Sequence, residues 1–450
     1  MLAQERIKQR SISFSSEEVT FHPHSFADDA GRLFWLNEQL CRGIYPKQAP
    51  FFTRLFREGV IENLIERELL IETEPTDLVV DGFSMVLKHR SLPFTSYPQE
   101  WCAAMLKDAA LTIINLTIEL AERNLTLKDA HPWNVLFDAC KPVYVDATSI
   151  APQNSESNWS AYDEFCRFCY YPLILMSHGQ ERIARALLPE YEGVTRSDFL
   201  TVMRGSGPSR LILSKLFRRG LKAVKSTFKK ESSGLAFLQQ IRRDVENIQS
   251  PSYERKHDES MALLSSRPEW TPPQRTLHEV LTELKPDSVL DLSRGAIWTS
   301  TLPALMGYRV VSTGADPSRA TAIYETARNH SLPILPLIVD FIKPTPSVGY
   351  SGHYSISAIE RLKCDMVLAL GLASRIALEN HFDFDLIVEG LSSFSKRWLV
   401  VEFQNVNEVC ADNLTSRRLD GFTKSLRKRF SDVRVLSSGE GPGVLLLCEK

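Results

Sequence analysis

Residues 125–150 read LTLKDAHPWNVLFDACKPVYVDATSI. A short apolar run leads to Asp129, then a His-Pro turn, then Asn134 at the start of an apolar strand. A second apolar strand ends at Asp146. One carboxylate that orients an acceptor hydroxyl, with an amide and a strand-end carboxylate that hold Mg²⁺ on phosphates, is the set of groups that nucleotide-dependent phosphoryl transfer needs. Asp129, Asn134 and Asp146 offer these groups in that order. The same residues also suit a purely structural part: Asp129 and Asn134 tying down a tight loop through the backbone, and Asp146 capping the next turn.

Working back from this stretch, residues 101–123 (WCAAMLKDAALTIINLTIELAER) have the periodicity of a long amphipathic helix, closed by Asn124. FSMVLKH (83–89) reads as a strand. Helices are expected over GRLFWLNEQLCRGI (31–44) and along FFTRLFREGVIENLIEREL (51–69). No glycine-rich phosphate loop precedes Asp129, since Gly31, Gly43, Gly59 and Gly82 stand alone. Lys88 is the nearest strand lysine, and its place just before the long helix suits a hinge strand.

Past residue 188 the character changes twice. RGSGPSRLILSKLFRRGLKAVKSTFKK (204–230) holds no acidic residue; it reads as a solvated amphipathic helix or as a surface for an anionic partner. A helical and polar linker follows over 231–271, ending in Pro-rich EWTPPQR. From 272 onward short apolar strands (SVLDL, YRVVSTG, ILPLIVD, CDMVLALGL, RWLVVEF, VRVLSS, GVLLLCE) alternate with helical patterns. This alternation predicts a doubly wound, mainly parallel α/β sheet, with ligands at the carboxyl ends of its strands.

The chain has 450 residues, enough for two cores, and its net charge of −2 gives no reason to expect nucleic acid as a partner. No apolar run approaches the ~20 residues of a membrane span, and the first residues lack a signal-peptide core, so a cytoplasmic protein is expected. Of eight cysteines only Cys166 and Cys169 form a CxxC. Without a second pair or a His cluster they read as structural thiols.

Two resemblances add to this. VLDLSRGAIWTST (289–301) and the strands after it resemble class I S-adenosylmethionine-dependent methyltransferases, over roughly 272–450. The resemblance implies a cofactor site at Asp291 and Gly295 after the first strand, Asp316 after the second and Asp340 after the third. The chain departs from the family's glycine-rich loop at Ser293, Arg294, Ala296 and Ile297, and has Gly314 near the place of the ribose-binding acid. LKDAHPWNVLF with PVYVDATSI resembles the catalytic segment of aminoglycoside-phosphotransferase-like kinases. That implies Asp129 as the acceptor-orienting base and Asn134 and Asp146 as Mg²⁺ ligands beside ATP. Their order along the chain resembles a bacterial two-part, methyltransferase-related family that includes the rhizobial host-specific nodulation protein NoeA.

The expected architecture is therefore α/β: an α+β kinase-like domain over 1–230 with a degenerate N-lobe and a mostly helical second lobe, the linker, and a Rossmann-like methyltransferase domain over 272–450. The function first expected is methyl transfer from S-adenosylmethionine to a small molecule, glycan or lipid intermediate, in a host-specific nodulation setting. The alternative is a non-catalytic interaction or regulatory protein that keeps both folds.

Overall fold

A computed structural model describes residues 13–23, 25, 28–153, 159–204, 234–251, 253, 270–295, 297–352, 354–404, 412–437 and 443–450. The basic segment falls outside these residues, apart from Arg204.

The N-terminal half holds a five-stranded antiparallel sheet: β1 (Thr20–Phe21), β2 (Gly31–Leu36), β3 (Gln39–Ile44), β4 (Thr73–Pro75) and β5 (Met85–His89), beside a short parallel pair of Ser13–Phe14 with Val79–Val80. Their order is β1-β2-β3-β5-β4. Helices α1 (Ala49–Arg57) and α2 (Val60–Glu66) fill the connection between β3 and β4, separated at Gly59 with φ 68°. The helix expected over 31–44 is instead the β2–β3 hairpin. Asn37 and Glu38 take φ 48° and 65°, which makes a two-residue turn whose twist matches the strands. The hairpin sends Phe34, Leu36 and Cys41 into a small core with Val80 and Val86. The four apolar residues at 33–36 satisfied helical and strand templates alike.

The long helix, α3 (Ala103–Ala121), is buried along most of its circumference. It carries the hairpin of β6 (Val135–Asp138) and β7 (Lys141–Tyr144), and against it packs α4 (Gly234–Glu246), drawn from the segment read as a linker. Lys107 Nζ donates to the carbonyls of Glu246 and Ile248 at 2.7 and 2.8 Å, closing the end of α4. Cys166 and Cys169 are buried and free. Burial pushes the Cys166 thiol up to about 12, so both are inert apolar fillers.

The second sheet has seven strands: β8 (Ser288–Asp291), β9 (Arg309–Gly314), β10 (Ile334–Ile338), β11 (Cys364–Ala369), β12 (Ser395–Gln404), β13 (Asp432–Ser437) and β14 (Gly443–Glu449). The order is β10-β9-β8-β11-β12-β14-β13, parallel except for β14. Strand order reverses at β8, and its carboxyl end is where such sheets bind ligands.

The edge strand β10 is covered by the turn Pro98–Glu100 of the N-terminal half, which blocks edge-to-edge pairing. Around this contact Arg361 and Glu100 form an ion pair with side chains only 3% and 1% exposed. Arg361 also donates to the carbonyl of Thr95 at 2.6 Å, and its guanidinium lies 4.7 Å from the Tyr97 ring centre. The backbone N–H of Ile356 donates to Tyr97 Oη at 2.9 Å. Helix α5 (Pro317–His330) adds Tyr324 and Arg328, bonded to Asp108 of α3 at 2.7 and 2.6 Å.

Candidate functional site

The structure brings Asp129, Asn134 and Asp146 close together beside the first sheet. β6 and β7 pair in tight register, which sets Asn134 and Asp146 at the same end of the hairpin. Asn134 Nδ2 donates to Tyr144 Oη at 3.1 Å, and that hydroxyl donates to the Asp129 carbonyl at 2.8 Å. Ser149 Oγ accepts from the Asp129 backbone N–H at 3.0 Å. Burial raises the Asp129 carboxyl above its ordinary range; the Asp146 charge adds to this and His131 opposes it.

Asp146 faces a residue the sequence reading passed over. Arg42, on β3, lies 3.3 Å from Asp146 and 2.5 Å from Asp28. Asp28 belongs to the loop between β1 and β2. Thr148 Oγ1 sits among the three, at 2.6 Å from Arg42, 2.8 Å from Asp28 and 2.5 Å from Asp146. A charged residue on a buried strand was the available signal, hidden while 31–44 read as a helix. Lys88 lies on β5 and pairs with Glu74 at 2.9 Å, away from this cluster. Among the described residues no group of three His, Cys, Asp or Glu is placed to hold a metal. A divalent ion at Asp146 would have to compete with the guanidinium and the Thr148 donors gathered on Oδ1, which disfavours Mg²⁺ on a nucleotide there.

His89 borders the same cluster and is 3% exposed. Its Nδ1 meets Thr73 Oγ1 at 2.9 Å. Burial, then the Arg42 charge, push its pKa down to about 3, with Asp146 opposing. The unfolded chain binds this proton near pH 6.5. Between about 6.5 and about 3 the unfolded state therefore holds more protons, and stability falls as pH falls. Urea titrations from pH 7 to 4 are expected to show a shallower acid decline in His89→Gln, by about 1.4 kcal/mol per pH unit. Parallel curves for the two proteins would refute the assignment.

The second constellation lies at the carboxyl ends of β8, β9 and β10. Asp291 is fully buried. One carboxylate oxygen accepts from the Ser293 N–H at 2.8 Å. The other accepts from Thr299 Oγ1 at 2.8 Å, from Ser300 Oγ, and from Arg319 Nη2 at 3.0 Å. Arg319 comes from the first turn of α5 and also reaches Ser312 Oγ at 3.1 Å and the Thr313 carbonyl at 3.3 Å. It lies within 3.8 Å of where a Gly314 side chain would begin, so a guanidinium stands beside the place expected for a ribose-binding acid. Asp316 is exposed and caps α5 through Ser318 N–H at 2.9 Å. Asp340 accepts from Ile342 N–H at 3.1 Å in a turn. Gly295 has φ 106°, and among the described residues, its chain neighbours apart, no atom lies within 4 Å of a Cβ built on it.

Asp291 meets four donors, three of them, Arg319 included, on Oδ2 and one on Oδ1. Gly314 stands near the place expected for the ribose-binding acid with Arg319 beside it, and Asp316, two residues on, is held as the cap of α5. These residues do not fit S-adenosylmethionine as they stand.

Fold and sites together define a mixed α/β protein: an antiparallel sheet with a helical half, followed by a seven-stranded sheet with one antiparallel strand. The chain is a sequence relative of the nodulation protein NoeA of Rhizobium meliloti (strain 1021), 23% identical over 429 residues and 90% of each chain. No family model matches it. Solved structures with local likeness include monomeric WbdD (TM-score 0.29, 15% identity, 43% of this chain and 42% of that one). TehB from Haemophilus influenzae scores 0.29 at 13% identity, covering 43% of this chain and 67% of its own. The T. thermophilus 16S rRNA methyltransferase RsmC, solved with AdoMet and guanosine, scores 0.26 at 15% identity over 41% and 44%. Those scores are too low to define the fold, which rests on the strand orders above. No helix among the described residues is long and apolar enough to cross a membrane.

Proposed function

We propose that this chain is a non-catalytic interaction or regulatory protein, built from a kinase-like half and a class I methyltransferase-like half whose cofactor clefts are filled by the chain's own ion pairs. The halves correspond to 1–230 and 272–450, with 231–271 between them, and α4 belongs to the packing of the first. The order β10-β9-β8-β11-β12-β14-β13 supports the methyltransferase-like frame. The sheet β1-β2-β3-β5-β4, with helices between β3 and β4, supports a kinase-like lobe above Asp129 and Asp146. The name of its relative supports a setting in nodulation.

One observation carries the reading: Asp291 is 0% exposed and bonded to Arg319. A cofactor-binding carboxylate has to keep a free lone pair facing the cleft. Methyl transfer to a small molecule, glycan or lipid intermediate, the reading the sequence put first, is favoured by one feature, the open space at Gly295.

Calorimetric titration of the full chain with S-adenosylmethionine and with Mg·ATP separates these readings. No heat is expected from either ligand at millimolar concentration. Micromolar S-adenosylmethionine binding abolished by Asp291→Ala would overturn the proposal in favour of methyl transfer. Mg·ATP binding abolished by Asp146→Asn would overturn it in favour of phosphoryl transfer.

A further inference from the structure

Arg42 is the most heavily engaged cation of the N-terminal cleft, and its surroundings are incomplete. Its side chain is 7% exposed. Nη1 and Nη2 are used, yet Nε is buried with no partner among the described residues. His89 Nε2, in the same buried neighbourhood, also lacks one. A buried guanidinium normally has all its N–H groups satisfied, and a planar fork is best completed by a tetrahedral or bidentate oxyanion. Asp28 supplies only part of this: Oδ2 collects Arg42 and Thr148, while Oδ1 accepts from the Ala30 N–H at 2.9 Å.

Asp28 arrives from the loop joining β1 and β2. In kinase-type sites that loop covers the nucleotide phosphates, and the third strand supplies the cation that pairs with them. Here β3 supplies Arg42, and the loop supplies acid. Asp29, the next residue, pairs with Lys128 at 3.2 Å, beside Asp129. The loop is thus held at two points, with Asp28 reaching Thr148 across 120 positions of chain.

We propose that Asp28 is an internal ligand occupying a latent phosphate site built by Arg42 and Thr148, and that it keeps the cleft closed to polyphosphates. This rests on the reading of the cleft as self-filled and names the residue that fills it. The charge balance supports it. Arg42 faces the two carboxylates of Asp28 and Asp146, so the site as it stands is net negative and repels a polyphosphate. Removing Asp28 makes it near neutral and frees the guanidinium fork.

The test uses the full chain with inorganic pyrophosphate and with Mg·ATP as probes, in wild type, Asp28→Ala and the double variant Asp28→Ala/Arg42→Met. Asp28→Ala is expected to bind pyrophosphate about tenfold or more tighter than wild type, the equivalent of one charge-assisted hydrogen bond gained. The gain should vanish in the double variant. Should Asp28→Ala fail to fold, Asp28→Asn keeps the volume, removes the charge and is read the same way. A folded Asp28 variant that binds no more tightly than wild type overturns the inference while leaving the self-filled reading intact. A gain that survives Arg42→Met overturns it too. Wild type that binds Mg·ATP as tightly as the variant overturns both.

Discussion

Replacing Asp291 by alanine is expected to destabilise the protein by about 3–5 kcal/mol, the usual cost of stranding one member of a buried ion pair. Four donors lose their acceptor at once: the Ser293 N–H, two hydroxyls and the Arg319 guanidinium. The Ser293 N–H and the two hydroxyls are buried away from water, and the Arg319 side chain is only 12% exposed. Urea unfolding followed by circular dichroism measures the effect, with Arg319→Met as the reciprocal variant. The double variant should cost clearly less than the sum of the two, since partners removed together leave no orphan charge. A loss below about 1 kcal/mol, the range of ordinary surface changes, would mean that the carboxylate is available to a ligand.

The second large effect is expected at the contact between the halves. Glu100→Ala leaves Arg361 buried against Tyr97 with its charge unmatched, for a similar loss of about 3–5 kcal/mol. Its signature should differ from that of Asp291. Tyr97, Glu100 and Arg361 join the turn over β10 to the segment around Ile356, so their loss weakens docking between the halves more than either core. Calorimetry is expected to resolve two unfolding transitions in Glu100→Ala where wild type has one. A single transition, shifted but not split, would show that α3 and α5, joined through Asp108 and Tyr324, suffice to keep the halves cooperative.

The two expectations share a cause. In each half an arginine meets the carboxylate at a cleft, Arg42 at Asp146 and Arg319 at Asp291. Both arginines retain a buried Nε with no partner among the described residues. Two unrelated sheets thus each set a guanidinium against a carboxylate at the end of a strand.

Much of this protein was legible before its structure. The alternation of short apolar strands and helices after residue 272 identified all seven strands of the second sheet, because a strand buried on both faces has to be continuously apolar. The spacing of Asp129, Asn134 and Asp146 placed them together, since a two-strand hairpin returns its ends to one place. The hairpin at 31–44 was misread for a physical reason: its turn uses Asn37 and Glu38 at positive φ, and Glu carries no signal for that conformation.

By itself the sequence determined most of the local elements, the 31–44 hairpin excepted, and which carboxylates lie at the ends of strands, because these follow from periodicities of two and 3.6 residues along the chain. Only the tertiary structure decided what those carboxylates face. Arg42 and Asp146 are brought together by the closing of a sheet over a hairpin, and Arg319 and Asp291 by the crossover from β9 into α5. Whether an aspartate is open to a ligand depends on the arginine that reaches it, and that distance is a property of packing that no local pattern encodes.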